Sequence, residues 1–313
     1  MTLLIQYTLM FASVLMLVAL GGCFAERSGV INIGLEGIMV FGALGGALAM
    51  KYLPDGTPVV AAILVPIFAA MLVGVLYSLL LAVAAINFKA DQTLVGTAMN
   101  LLGTAAATVL VKAINTAEDV SNVSSIVKYI SAKKAFIINI GGFEYNWFML
   151  LAVLLLIGSY VLLNKTKFGL RLRACGEHPQ AADSVGINVY KMRYAGVMIS
   201  GLLGGVGGLV YITAGASEWQ FENGVAGFGF LALAVMIFGQ WKPLNIALAA
   251  LLFGLFRSLS NVYTGFDFLK AMNLPANVYN MLPYIISLVV LMLTSKHSRA
   301  PKAEGIPYDK SVR

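Results

Sequence analysis

An all-helical protein that crosses a membrane many times is encoded in this chain, and three features of the sequence say so. Of its 313 residues, 59% are hydrophobic and only 11% are charged, against roughly 25% charged in soluble domains. So few charges cannot cover a water-facing surface. The apolar residues fall in long runs on the scale of the roughly 20 residues that a helix needs to span a bilayer. They do not form the alternating segments of about ten residues that build a transmembrane barrel. Lys and Arg gather beside the runs, as membrane orientation requires, so the net charge of +7 is not read as a nucleic-acid footprint.

Nine runs are expected to span: 3–22, 30–50, 58–86, 92–112, 147–163, 194–213, 225–240, 244–263 and 281–295. The first lacks the basic start and the cleavage site of a signal peptide, so it is read as a retained span. The second carries Gly34 and Glu36 near its start. The fourth carries a row of polar side chains. Segment 114–146 is too polar to span and reads as an external loop with a short amphipathic piece, either a lid or a contact for a soluble partner. The run at 225–240 is short, comes after a Gly-rich entry, and is expected to be partly unwound. The ninth run leads into a polar tail, 296–313, expected to be loosely ordered.

The loop at 165–193 is the longest polar and basic stretch. It holds Lys165, Lys167, Arg171, Arg173, Lys191 and Arg193 against Glu177 and Asp183, a net charge of +4. Inside it, PQAADSV predicts a helix of about two turns. Pro179 suits its first turn, Glu177 its positive end, and Gly186 its stop. A short capped helix on a basic loop is built for contact; a solvated loop that only sets orientation is the alternative. With this loop inside, fourteen Lys and Arg lie on the inner side and six on the outer, with Arg257 inside a span. The positive-inside rule then places the N-terminus outside and the C-terminus in the cytoplasm.

The spans carry further signals. Gly42 and Gly46, Gly201 and Gly205, and Gly204 and Gly208 are GxxxG pairs that let helix backbones approach, read as packing within one subunit. SGVINIG at 28–34 weakly echoes NGVAGFG at 223–229 with opposite orientation, the mark of an inverted repeat. A charge at mid-membrane costs about 2.5–3.5 kcal/mol on insertion scales, so Glu36 and Arg257 are candidate functional groups. Glu36 is expected a few residues in from the inner face and partly wet, and Arg257 near the outer end of its span, where it can snorkel. Asn32, and the stripe Gln92, Thr93, Thr97, Asn100 and Thr104, read either as a pathway wall for a polar solute or as hydrogen bonds between helices.

There is no G-x-x-x-x-G-K-[ST] loop, no HExxH and no CxxC. His178 and His297 lie in polar segments, and Cys23 and Cys175 have no metal or redox spacing. No catalytic or metal site is expected.

Three blocks together resemble one family: ERSGVINIGLEGIM at 26–39, ADQTLVGTAMNLL at 90–102, and FGLRLRACGEHPQAADSVGINVYKMRYAGVMISGLLGGVGGL at 168–209. They resemble ABC importer permeases of the ribose, branched-chain amino acid and nucleoside group. NIGLEG and GQWKP at 239–243 are similar to the nucleoside branch, the shorter permease of the guanosine-importer type. The resemblance implies a vitamin B12-importer-like (type II) permease domain over 1–313 with an inverted repeat, in a prokaryotic cytoplasmic membrane. It implies a second, non-identical permease, P-loop ATPase subunits that bind ATP and Mg, an extracytoplasmic solute-binding lipoprotein, and a nucleoside solute. This chain itself would hold no cofactor. The ATPase-coupling role falls to Gly176, Glu177, Pro179, Ala181, Ala182, Gly186 and Ile187. His178 departs from the Asn expected there. The broken helix beside the pathway falls at 29–37, adding weight to Asn32 and Glu36 as pathway residues with Thr93, Thr97 and Asn100. The alternatives are a sugar or branched-chain amino acid solute, an ion-coupled secondary transporter, for which Glu36 is the plausible coupling carboxylate, and a membrane scaffold or receptor subunit.

Overall fold

The computed structural model describes residues 2–54, 56–129, 137–140, 143–213, 218–265, 276–294 and 300–310. Its helices are α1 (Thr2–Arg27), α2 (Leu35–Lys51), α3 (Val59–Ala82), α4 (Gln92–Glu118), α5 (Trp147–Lys165), α6 (Lys167–Glu177), α7 (Pro179–Ser184), α8 (Val189–Thr213), α9 (Phe228–Phe238), α10 (Pro243–Val262) and α11 (Ala276–Thr294). Each expected apolar run overlaps one of them. Among the described residues, seven stretches are long and apolar enough to cross a membrane: α1, α3 with its extension, α4, α5, α8, Phe221–Phe238, which contains α9, and α10. The second and ninth runs form α2 and α11, of 17 and 19 residues.

Helix α8 is the buried centre, packed against α1, α2 and α3. Glycine makes this possible. A Cβ on Gly42 would fall within the backbone of Gly205, and one on Gly208 within that of Met39. The GxxxG positions therefore join helices of one chain, replacing a hydrophobic driving force with close van der Waals contact. Outward faces are aliphatic: Val60, Leu64, Phe68, Leu72, Leu76 and Leu80 form an exposed stripe along α3 at a spacing of four. One π-helical turn, Val83–Asn87, extends α3.

The 114–146 segment differs from its expectation. Helix α4 continues to Glu118, beyond the expected start of the loop, and the described residues between it and α5 include three strands. β1 (Ile126–Lys128) pairs antiparallel with β4 (Glu218–Gln220), and β2 (Ile137–Ile140) with β3 (Phe143–Asn146). The β-branched residues Ile126, Val127, Ile137 and Ile138 favour this pleated surface over a helix. Residues 130–136 lie outside the described residues.

The tail also differs. Residues 300–310 are docked, not loose. Ala303 N donates to Gly176 O at 2.8 Å and Gly305 N to Gly29 O at 3.2 Å. Arg193 Nη1 donates to Ile306 O at 3.0 Å. Tyr308 is buried with Cys175, Ala182 and Val189, its ring edge-on to Tyr190 at 5.4 Å. The segment is polar, but one aromatic plug, two backbone–backbone bonds and one bond from the Arg193 side chain tie it down. His297, with Lys296 and Arg299, lies outside the described residues.

Candidate functional site

The chain stops being helical twice inside the apolar body, and the two breaks meet. The first is 28–34, so the second run becomes helix only from Leu35. Gly29 takes a φ of +96°, with the Arg193 guanidinium packed against it. A non-helical stretch away from water must find partners for its peptide groups. Helix α4 supplies them. Ile31 N donates to Gln92 Oε1 at 2.6 Å, Asn100 Nδ2 donates to Ile33 O at 2.9 Å, and Gly37 N donates to Asn100 Oδ1 at 2.9 Å. Gly96 and Gly103 bring α4 close enough for this, against Gly34 and Gly37.

The second break precedes α9, whose first turn abuts that of α2. Glu36 joins them: its Oε1 accepts from Gly227 N at 2.8 Å and its Oε2 from Gly229 N at 2.6 Å. A carboxylate on the free N–H groups of a helix start is favourable both as hydrogen bonds and against the helix dipole. Glu36, just past the first echoing segment, thus holds the end of the second. The eleven residues of α9 rise about 16 Å from Glu36 to Trp241 beside Arg27. Glu36 is therefore deep and only 8% exposed, in place of the partly wet position expected near the inner face.

Arg257 packs against two aromatic rings. Its guanidinium carbon lies 5.8 Å from the Phe11 ring centroid and 5.5 Å from that of Phe228, a cation–π arrangement. Among the described residues it makes no ion pair with Glu36.

The polar residues of α4 divide between two faces. Gln92 and Asn100 are buried and serve the break. Thr93 and Thr97 are exposed, and Thr97 Oγ1 donates back to Thr93 O at 2.8 Å. Asn32 is fully buried: Nδ2 donates to Ser200 Oγ at 2.8 Å, while Oδ1 has no partner. Ser200 was not singled out in the sequence, although a hydroxyl in the glycine-rich face of α8 was its available signal.

On the opposite side of Arg27 lies the basic loop. It contains a helix that the sequence reading did not separate, α6, with Thr166 Oγ1 accepting from Gly169 N at 3.1 Å as its cap. Its buried residues Gly169, Leu172, Cys175 and Gly176 keep a helical period, which was the legible signal. Helix α7 comes next, with Pro179 at its first position. Gly186, at φ +83°, closes it: Ile187 N donates to Ala182 O at 3.0 Å and Gly186 N to Asp183 O at 2.9 Å. This is the double bond pattern of a Schellman stop.

The expected coupling residues separate by exposure. Gly176, Pro179 and Ala182 are buried, with Gly176 against the Arg27 carbonyl. Ile187 is half-buried, and Ala181 and Gly186 are exposed. Glu177 lies 3.9 Å from Arg27. The outward surface is completed by His178, Gln180, Ser184, Val185 and Asn188; Val185 is 75% exposed. Burial pushes the Cys175 thiol up to about 11, so it packs as a neutral group. Burial also raises the Glu304 carboxyl of the docked tail, which sits beside Glu26.

The family of branched-chain amino acid transport system permease components matches residues 4–293. The guanosine ABC transporter permease protein NupQ of Bacillus subtilis is 41% identical, covering 100% of this chain and 98% of that protein. The nucleoside ABC transporter permease protein NupC of Lactococcus lactis is 38% identical, covering 97% and 95%. The putative glucose ABC transporter permease protein TsgC13 of Haloferax volcanii is 30% identical, covering 82% and 76%.

Proposed function

Because the chain belongs to the family of branched-chain amino acid transport system permease components and is a multi-pass membrane protein, we propose that it is the membrane-spanning subunit of an ATP-driven importer for ribonucleosides. The observation that carries the solute class is the end-to-end likeness to permeases named for guanosine and nucleosides. The apolar body supports it, since a pathway with few charges suits neutral solutes with hydroxyls and a flat base.

In this reading the whole chain is one permease domain with nine spans, α2 and α11 included, in the vitamin B12-importer-like arrangement with an inverted repeat. It sits in the cytoplasmic membrane with its N-terminus outside. It pairs with a second, non-identical permease, and an extracytoplasmic binding protein delivers the solute. ATP and Mg are held by partner P-loop ATPases, and this chain catalyses no reaction. Helix α7, through its exposed Ala181, and the exposed Val185 and Gly186 that follow it seat on the ATPase. Gly176, Pro179 and Ala182 hold α7 to the body, and Glu177 and Ile187 flank it. Thr93 and Thr97 face the pathway; Asn32, Glu36 and Asn100 shape the helix breaks beside it. ATP and the loaded binding protein each shift the equilibrium between inward and outward facing by their differential affinity for the two states.

A simple-sugar solute is the second reading, favoured by the likeness to the glucose permease. Ion coupling is disfavoured because both oxygens of Glu36 are occupied by backbone N–H groups. The test is affinity purification of the tagged chain in mild detergent with mass spectrometry of the proteins that accompany it. A P-loop ATPase and a second permease are expected. Recovery of the chain alone from several detergents contradicts the subunit assignment.

A further inference from the structure

A cavity of about 350 Å³ opens where α5, α6 and the start of α10 converge on the loop face of the molecule. Four cations line it: Arg27, Lys165, Arg173 and Lys242. Among the described residues, only Arg27 of the four has a carboxylate partner, Glu177 at 3.9 Å. The first turn of α10 also lines the cavity, through Pro243, Leu244 and Asn245, so the positive end of a 20-residue helix faces the same space. Coulomb repulsion among four cations gathered round one space asks for an anion, and the coupling reading does not use them.

The position of the cavity identifies the kind of anion. Its walls continue directly into apolar faces. On α5, Tyr160 and Asn164 line the cavity, and Ile157 and Val161, on the same side at helical spacing, are 55% and 44% exposed. On α10, Leu244 lines it, and Leu248 and Leu251 come four and seven residues later, 68% and 42% exposed. A ligand with a phosphate in the cavity and hydrocarbon along these two rows matches both halves. Basic pockets between membrane helices recognise such lipid head groups.

We propose that this cavity is a binding site for the head group of an anionic glycerophospholipid, whose acyl chains lie between the outer faces of α5 and α10. The lipid neutralises the loop face and fixes the α5–α6 corner from which the basic loop hangs. The proposal rests on the membrane location alone and is independent of the solute.

Native mass spectrometry of the purified full-length chain tests it, with phosphatidylglycerol and phosphatidylcholine added in equal amounts. Each cation near a membrane surface contributes about fivefold to anionic-lipid binding. The wild type is therefore expected to retain phosphatidylglycerol preferentially, and Lys165→Gln with Lys242→Gln, both at exposed positions, to reduce that preference by at least tenfold. Soluble glycerol phosphate is expected not to displace the lipid, because it lacks the chains. An unchanged lipid preference in the double variant overturns the site. Displacement by glycerol phosphate at equal concentration overturns the lipid assignment in favour of a soluble phosphate. Loss of a co-purifying ATPase by the double variant with lipid retention unchanged assigns the cations to a protein partner instead.

Discussion

Replacing Glu36 by Gln probes the junction of the two helix breaks with almost no change of shape. In the wild type, both carboxylate oxygens accept backbone N–H groups, from Gly227 at 2.8 Å and Gly229 at 2.6 Å. The amide keeps one acceptor and turns an NH₂ toward the other donor, leaving a buried N–H unpaired at a cost of about 1–3 kcal/mol. The negative charge at the start of α9 is lost as well, worth up to about 2 kcal/mol in a partly buried setting. Removing the carboxylate also relieves its own burial, which offsets part of this. The net expectation is about 2–3 kcal/mol, or a fall in Tm of about 5 °C at roughly 2 °C per kcal/mol. Thermal unfolding of the purified protein in detergent, monitored by size-exclusion chromatography, measures it. Glu36→Asp keeps the charge but pulls it back, and should fall between. If Glu36→Gln retains the wild-type Tm within about 1 °C yet abolishes uptake, the carboxylate faces the solute and the staple argument is wrong.

Four further outcomes are expected. Asn100→Leu removes the bonds to Gly37 N and Ile33 O and should destabilise the protein by about 2–3 kcal/mol, read as a lower Tm, with loss of uptake; normal uptake would show that the break holds without them. Gly186→Pro, which cannot adopt φ +83°, and Glu177→Lys should abolish uptake while insertion is normal, and wild-type uptake in both rules out coupling through α7. Tyr308→Ala removes the aromatic plug of the tail, a loss of about 3 kcal/mol, and should make residues 300–310 protease-sensitive. Burial raises the Glu304 carboxyl beside Glu26 and Arg27, so tail docking is favoured by the protonated form: its contribution is full below the ordinary carboxylate value and is lost as pH rises through the raised one. Tail protection against protease should then weaken as pH rises through the raised value, and the dependence should be smaller in Glu304→Gln.

Apolar runs and the positions of Lys and Arg made the spans legible, because a bilayer imposes length and charge rules directly on sequence. The α7 cap was legible for a similar reason: Pro179 and Gly186 act through their own backbone geometry. Long-range partners were not. Gln92 and Asn100 read equally well as pathway wall or helix glue until their bonds to 31–37 were visible. Glu36 looked close to the membrane face because sequence distance from Arg27 does not reveal a segment that enters non-helical. The tail looked loose because its composition is polar, and composition does not register two backbone bonds to Gly176 and Gly29 or the bond from the Arg193 guanidinium. Helix α6 was hidden inside a charged stretch although its buried side keeps the helical period.

The decisive measurement is uptake of labelled guanosine in cells that contain the partner subunits and either carry or lack this chain. Uptake is expected only when the chain is present, competed by unlabelled ribonucleosides and not by ribose or leucine, and insensitive to collapse of ion gradients while ATP is maintained. Uptake that ribose or leucine suppresses as well as guanosine, or that disappears with the ion gradient, would contradict it.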